Sequence, residues 1–170
     1  MLRQVLDIDH PDAAPGSLLA GGIAAGARIY TLDGALPVEF LEPGDRVVTR
    51  AGARRLRRVV SGDYAGSLIR VAPGALGHDR PGAPLLLGSA ARLLMRDWRV
   101  EVIYGKREAL VPAQAMVDGR YVTLGRGRAR LFRLEFEVPE VIYADGGLCC
   151  TNRLKAEVPL SPDGLIPQLP

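Results

Sequence analysis

The sequence predicts an all-β protein, mainly antiparallel, with one or two short helical turns. Three observations carry that reading. The apolar runs are short and rich in Val, Leu and Ile, residues that suit a pleated, half-buried surface. Aromatic residues make up only 5% of the 170 residues while 20 Gly and 13 Pro punctuate the chain, which favours many turns over long helices. The punctuation also falls between the apolar runs, at pairs such as Asp33-Gly34, Pro43-Gly44 and Asp118-Gly119. A chain of this length buries one substantial core, so a single compact domain is expected.

Residues 1–21 hold Pro11, Pro15, Gly16 and Gly21 with no sustained period, and read as an extended N-terminal arm. Arg28 to Leu32 and Ala35 to Val38 predict a hairpin closed by Asp33-Gly34, a pair that tolerates the positive φ of such turns. Leu41 to Asp45 is a second turn, in which Pro43 presets φ and Gly44 can take the left-handed position. Arg46 to Arg50 then runs as a strand. Beyond Ala51-Gly52, Leu56 to Val60 and Ser67 to Ala72 are expected as two strands bracketing a turn at Ser61-Gly62-Asp63. Pro73 to Pro84 is the longest loop.

Leu85 to Leu87, Arg92 to Met95 and Arg99 to Tyr104 have strand length, and Ala109 to Met116 suits a short helical turn, since Pro is tolerated at a helix start. Tyr121 to Leu124, Arg130 to Glu137 and Val141 to Ala144 complete the body. Apolar alternation over Leu131 to Val138 indicates a half-buried strand. Residues 148–170, with Pro159, Pro162, Pro167 and Pro170, read as a Pro-rich C-terminal tail. Pro37 to Val47 and Leu110 to Val122 echo one another, each running from an apolar-proline start through a turn to a strand, as a pseudo-twofold body would.

A net charge of +3 is modest, so charge alone implies no general affinity for nucleic acid or anionic lipid. Arg126, Arg128 and Arg130 are nevertheless spaced by two, which places them on one face of an extended segment. Such a row suits phosphates or an acidic partner surface. Nucleic acid is disfavoured because no aromatic residues lie nearby to stack bases. In Arg54-Arg55-Leu56-Arg57-Arg58, a strand would set Arg55 and Arg57 on one side and Leu56 and Arg58 on the other.

Cys149 and Cys150 are adjacent and cannot clamp distant parts of the chain; they read as a small apolar pair at a strand end. His10 and His78 lie far apart and no C-x-x-C pair exists, so neither metal nor cofactor is expected. Met1 to Ala14, with Asp7, Asp9 and Asp12, does not form a secretory signal. Leu18 to Ala27 falls far below the roughly 20 apolar residues of a membrane span. A cytoplasmic location is the default expectation, with export by a non-classical route compatible with the sequence.

Two stretches carry a resemblance. Gly22 to Thr49 reads GIAAGARIYTLDGALPVEFLEPGDRVVT, and Leu85 to Val117 reads LLLGSAARLLMRDWRVEVIYGKREALVPAQAMV. With Tyr143-Ala144-Asp145-Gly146 in the expected order, they resemble the Hint module shared by hedgehog autoprocessing domains and inteins, over roughly Gly22 to Gly147. The resemblance implies a compact pseudo-twofold β fold across residues 22–147. It also implies a chemistry: a cysteine opening the domain attacks the preceding carbonyl to give a thioester, and a histidine of the second motif protonates the departing amide.

Laid on that pattern, the nucleophile's position corresponds to Gly22. The histidine's position corresponds to Ala91, within Gly88-Ser89-Ala90-Ala91-Arg92, and a later histidine's to Pro139. Neither Gly nor Ala supplies a nucleophile or a proton donor. The function implied is a catalytically inactive Hint-type domain that acts as a binding or structural module, with another protein as the expected partner. Two alternatives stay open. One is a self-processing domain whose nucleophile has moved, with Ser89, Thr31 or the tail cysteines as candidates; the other is a small basic β module that binds an anionic partner through Arg126, Arg128 and Arg130.

Overall fold

The computed structural model describes residues 18–96, 98–150 and 152–153. The strands are β1 (Ile23–Ala24), β2 (Arg28–Thr31), β3 (Gly34–Pro37), β4 (Arg46–Thr49), β5 (Gly52–Arg55), β6 (Arg58–Val71), β7 (Leu85–Gly88), β8 (Arg92–Met95), β9 (Ala109–Pro112), β10 (Val122–Phe136), β11 (Val141–Ala144), β12 (Gly147–Cys150) and β13 (Asn152–Arg153). A short helix α1 (Trp98–Tyr104) and two 3-10 turns, Val38–Phe40 and Ala113–Met116, complete the described elements.

The hairpin at Asp33-Gly34 forms where the sequence places it, with Thr31 facing Gly34 across β2 and β3. The Thr31 hydroxyl donates to the Gly34 carbonyl at 2.7 Å and accepts the Asp33 amide at 3.1 Å. Gly34 takes a φ of 107°, which a side chain would resist. The same device closes β4 against β5. There the Thr49 hydroxyl donates to the Gly52 carbonyl at 2.6 Å and accepts the Ala51 amide at 3.1 Å. Both threonines are buried, so the turns satisfy their polar groups without water.

The strands form two sheets. In the first the order is β1-β7-β6-β10-β13, and β1 also pairs with β10, so β1, β7, β6 and β10 close into a ring. Ile23 is the hinge of that closure, opposite Leu87 on one side and Phe132 on the other. The second sheet runs β3-β2-β4-β11-β12-β8-β9, with β5 on the flank of β4. Only β13 joins in parallel, beside Glu135 and Phe136 of β10.

One apolar cluster joins the sheets, drawing Ile23, Leu87 and Phe132 from the first and Ile29, Val47, Leu93 and Ile142 from the second. Side chains buried to this degree contribute roughly 1.5–3 kcal/mol each. A smaller cluster of Leu19, Tyr64, Leu68 and Leu131 lies across the ring from it.

Five local expectations differ from the observed fold. Ser61-Gly62-Asp63 is not a turn but the middle of β6, which pairs continuously with β10 from Arg58 to Val71. A Cβ on Gly62 would stand 3.0 Å from the tip of the Leu19 side chain, which would have to shift by a few tenths of an ångström. Arg99 to Tyr104 is helix, not strand. Val100 alone enters the body, against Met95 and Val111, and Gly105 closes the helix with a φ of 65° and an amide that donates a hydrogen bond to the Glu101 carbonyl.

Ala109 to Met116 divides into β9, paired with β8, and a 3-10 turn that begins only after Pro112. Leu131 to Phe136 is buried on both faces rather than one, with Leu131 in the smaller cluster and Phe132, Leu134 and Phe136 in the larger. The strand expected from Leu56 begins only at Arg58, and Leu56 is buried in the link between β5 and β6.

Candidate functional site at the junction of Gly22 with Gly88 to Ala91

The two segments singled out in the sequence meet in space. Residues 20–22 run beside the turn that links β7 to β8. The Gly88 amide donates to the Gly22 carbonyl at 2.9 Å, and the Ala90 amide donates to the Ala20 carbonyl at 2.8 Å. The Gly22 amide turns back to the Leu19 carbonyl at 2.8 Å. Ala91 is tied on both sides, its amide to the Gly88 carbonyl at 3.1 Å and its carbonyl to the Ala113 amide at 2.8 Å. Gly22 and Ala91 are both buried, while Ser89 and Ala90 are half-buried.

The junction is tight because of two glycines. A Cβ at Gly88 would lie 2.1 Å from the Ala20 carbonyl oxygen, so only glycine permits this approach. At Gly22 a Cβ would meet the Leu19 oxygen at 3.0 Å and both the Leu131 Cβ and the Phe132 oxygen at 3.1 Å. Two of these three contacts are backbone. Neither Gly22 nor Ala91 carries a group that can attack a carbonyl or hold a proton.

The remaining sequence candidates are dispersed. Thr31 is committed to the β2–β3 turn. His78 is fully exposed, 3.6 Å from Asp79. Pro139 is half-buried in the link between β10 and β11, followed by the buried Glu140, which pairs with Arg54 at 3.4 Å. Cys149 and Cys150 lie in β12, in register with Ile142 and Val141. His10 lies outside the described residues. Among the described residues no group of three His, Cys, Asp or Glu could hold a metal, and no helix is long and apolar enough to cross a membrane.

Arg126, Arg128 and Arg130 are exposed on β10, facing Ser67, Ala65 and Asp63 of β6. Arg130 engages Asp63 at 3.8 Å and the Ser61 hydroxyl at 3.4 Å, and its guanidinium lies over the Phe132 ring. Its two neighbours in the row face small, uncharged residues.

Sequence reasoning missed two features near the junction. One is Gly88, whose role depends on a backbone that approaches from another part of the chain. The other is a buried charge cluster on β6 and β10: Glu135 accepts from Arg58 at 3.0 Å and from Arg133 at 2.9 Å. Arg133 also reaches the Leu18 carbonyl at 3.5 Å, while its Nε is buried without a partner. Alternation of charged and apolar residues in Arg133-Leu134-Glu135 was the available signal, but it reads as a solvent face.

Electrostatic shifts lie away from the junction. Burial pushes the Asp145 carboxyl above its usual range, against the amide of Arg28 that favours the charged form. The Arg50 hydrogen bond, with the charges of Arg50 and Arg96, holds Glu108 below its own range. Asp118 is held low by the backbone amides of Val122, Arg120 and Tyr121.

The Hint domain family model matches residues 22–153, opening at Gly22. No curated protein sequence matches the chain. Among solved structures, a bacterial intein-like domain from Clostridium thermocellum is similar at 12% identity and a TM-score of 0.57, with 77% of this chain and 98% of that one covered. The TvoVMA intein is similar at 11% identity and a TM-score of 0.55, over 76% and 97% of the two chains. The MchDnaB-1 intein is similar at 11% identity and 0.50, over 76% and 99%. The shared feature at these identities is the fold, a mainly antiparallel β body with one short helix. With a family model spanning both sheets from Gly22 onward, this chain belongs to the Hint domain family.

Proposed function

We propose that this protein is a Hint domain that neither cuts nor splices itself, and that it serves as a binding or structural module. The reading rests on the junction of Gly22 with Gly88 to Ala91. Covalent catalysis of an acyl shift needs an activated nucleophile beside the scissile carbonyl and a proton donor for the leaving amide. The residues at the equivalent places offer neither. The close contacts around Gly22 further support it, since a nucleophilic side chain there would press on the Leu19 and Phe132 carbonyls.

The full-length chain, incubated with a strong thiol or hydroxylamine and weighed by mass spectrometry, is expected to keep its mass. A product cut at the Gly21-Gly22 bond would overturn the reading. Ser89 favours one rival, because the Ala90 to Ala20 hydrogen bond holds its turn alongside Gly21. If Ser89 were a relocated nucleophile, cleavage would occur in the parent chain and vanish in Ser89→Ala.

A further inference from the structure

Helix α1 turns apolar side chains toward solvent. Trp98 is 72% exposed, Val102 74% and Ile103 68%, whereas Val100 is 3% exposed and holds the helix to the body. With about 100° between successive residues, Trp98, Val102 and Ile103 share the outward arc with Arg99, Val100 points inward, and Tyr104 stays 47% exposed at the helix end. A helix facing water ordinarily shows polar residues there. The exposed apolar area is on the order of 400–500 Å², a size that marks interaction sites on soluble domains.

Two cations lie beside this patch. Lys106 and Arg107 lie just past the helix, after Gly105, and are exposed. Among the carboxylates, Glu108 is already matched by Arg50 at 2.8 Å and Arg96 at 3.3 Å. Glu101 is the described carboxylate on α1 itself. An apolar knob bearing Trp and Tyr with cations at its base is the composition that settles at the lipid headgroup level.

We propose that α1 docks this domain onto an anionic membrane surface, with Trp98, Val102 and Ile103 entering the headgroup region and Lys106 and Arg107 resting on the phosphates. The helix has 7 residues, so it lies on the bilayer and does not cross it. Docking of this kind is independent of whether the chain cuts itself.

Trp98 is the sole tryptophan of the sequence and reports its own surroundings. The full-length protein is titrated with vesicles of phosphatidylcholine carrying one part in three, roughly, of phosphatidylserine, and in parallel with phosphatidylcholine alone. Expected are a blue shift of Trp98 emission, protection from acrylamide quenching on the anionic vesicles, and binding at least tenfold weaker on the neutral ones. The double variant Val102→Asp/Ile103→Asp should lose binding with an unchanged circular dichroism spectrum. Lys106→Ala/Arg107→Ala should weaken it by about thirtyfold.

Three results would overturn the proposal. They are no binding to anionic vesicles, binding that leaves Trp98 emission unchanged, and a blue shift that grows with protein concentration in the absence of lipid. The last would mean that two copies cover the patch.

Discussion

Replacing Gly88 with alanine is expected to cost most of what holds the domain's opening segment in place. The new Cβ would stand 2.1 Å from the Ala20 oxygen, 2.5 Å from the Ala20 carbonyl carbon and 3.0 Å from its Cα. These are backbone atoms, so the obstacle cannot swing aside, and residues 20–22 must retreat by about 1 Å to restore ordinary contact. That retreat breaks the Gly88 to Gly22 and Ala90 to Ala20 hydrogen bonds, each contributing about 1 kcal/mol net and more when the freed groups stay buried. Leu19 and Ile23, both buried at present, lose part of their packing, roughly another 1–2 kcal/mol. A destabilisation of about 4 kcal/mol follows, a large share of a typical domain's stability. Urea unfolding followed by circular dichroism measures it. Gly125→Ala is the matched control, because a Cβ there meets nothing within 4 Å, and its midpoint should stay within about 0.5 kcal/mol of the parent. Coincident midpoints for the two variants would refute the close approach of Ala20 to Gly88.

The double substitution Gly22→Cys/Ala91→His should lower stability by about 2–4 kcal/mol through overpacking of two buried positions, and intact-mass analysis should find the chain whole. Glu135→Ala leaves the largely buried Arg133 without its carboxylate and should cost about 3 kcal/mol, read from the urea midpoint. Asp118 titrates below its unfolded value, so its contribution is present above the unfolded pKa and lost as pH falls through the folded one; Asp118→Asn should flatten the acid limb of a melting-temperature profile below about pH 4. Asp145 runs the other way. Its raised value means that its contribution is fully present at low pH and fades as pH rises past the unfolded value toward the folded one, so Asp145→Asn should narrow the loss on that rise in the same profile.

Turns were the legible part of this sequence. Asp33-Gly34, Pro43-Gly44 and Asp118-Gly119 announce themselves because the backbone there needs residues that few others can replace, and Gly34, Gly44 and Gly119 all take positive φ. Glycines serving close packing give no such notice. Gly62 reads as a turn residue until Leu19 is seen to lie over it, and Gly88 reads as the end of a Leu-rich strand until Ala20 arrives from elsewhere in the chain. The helix at Trp98 reads as a strand for a related reason. Its outward face is apolar, so the pattern lacks the polar side by which a surface helix is recognised. At the candidate site, the resemblance singled out Gly22 and Ala91, but the meeting of their segments, and the crowding at Gly22, belong to tertiary packing alone.

Ile23 has a mechanical consequence. Because it is bonded into β7 on one flank and β10 on the other, a pull on any segment attached ahead of it is shared between two strands that lie far apart along the chain. Detaching that segment without breaking a covalent bond means unzipping both seams together. The start of the described fold is therefore tied at two places, so that freeing β1 disturbs β7 and β10 together.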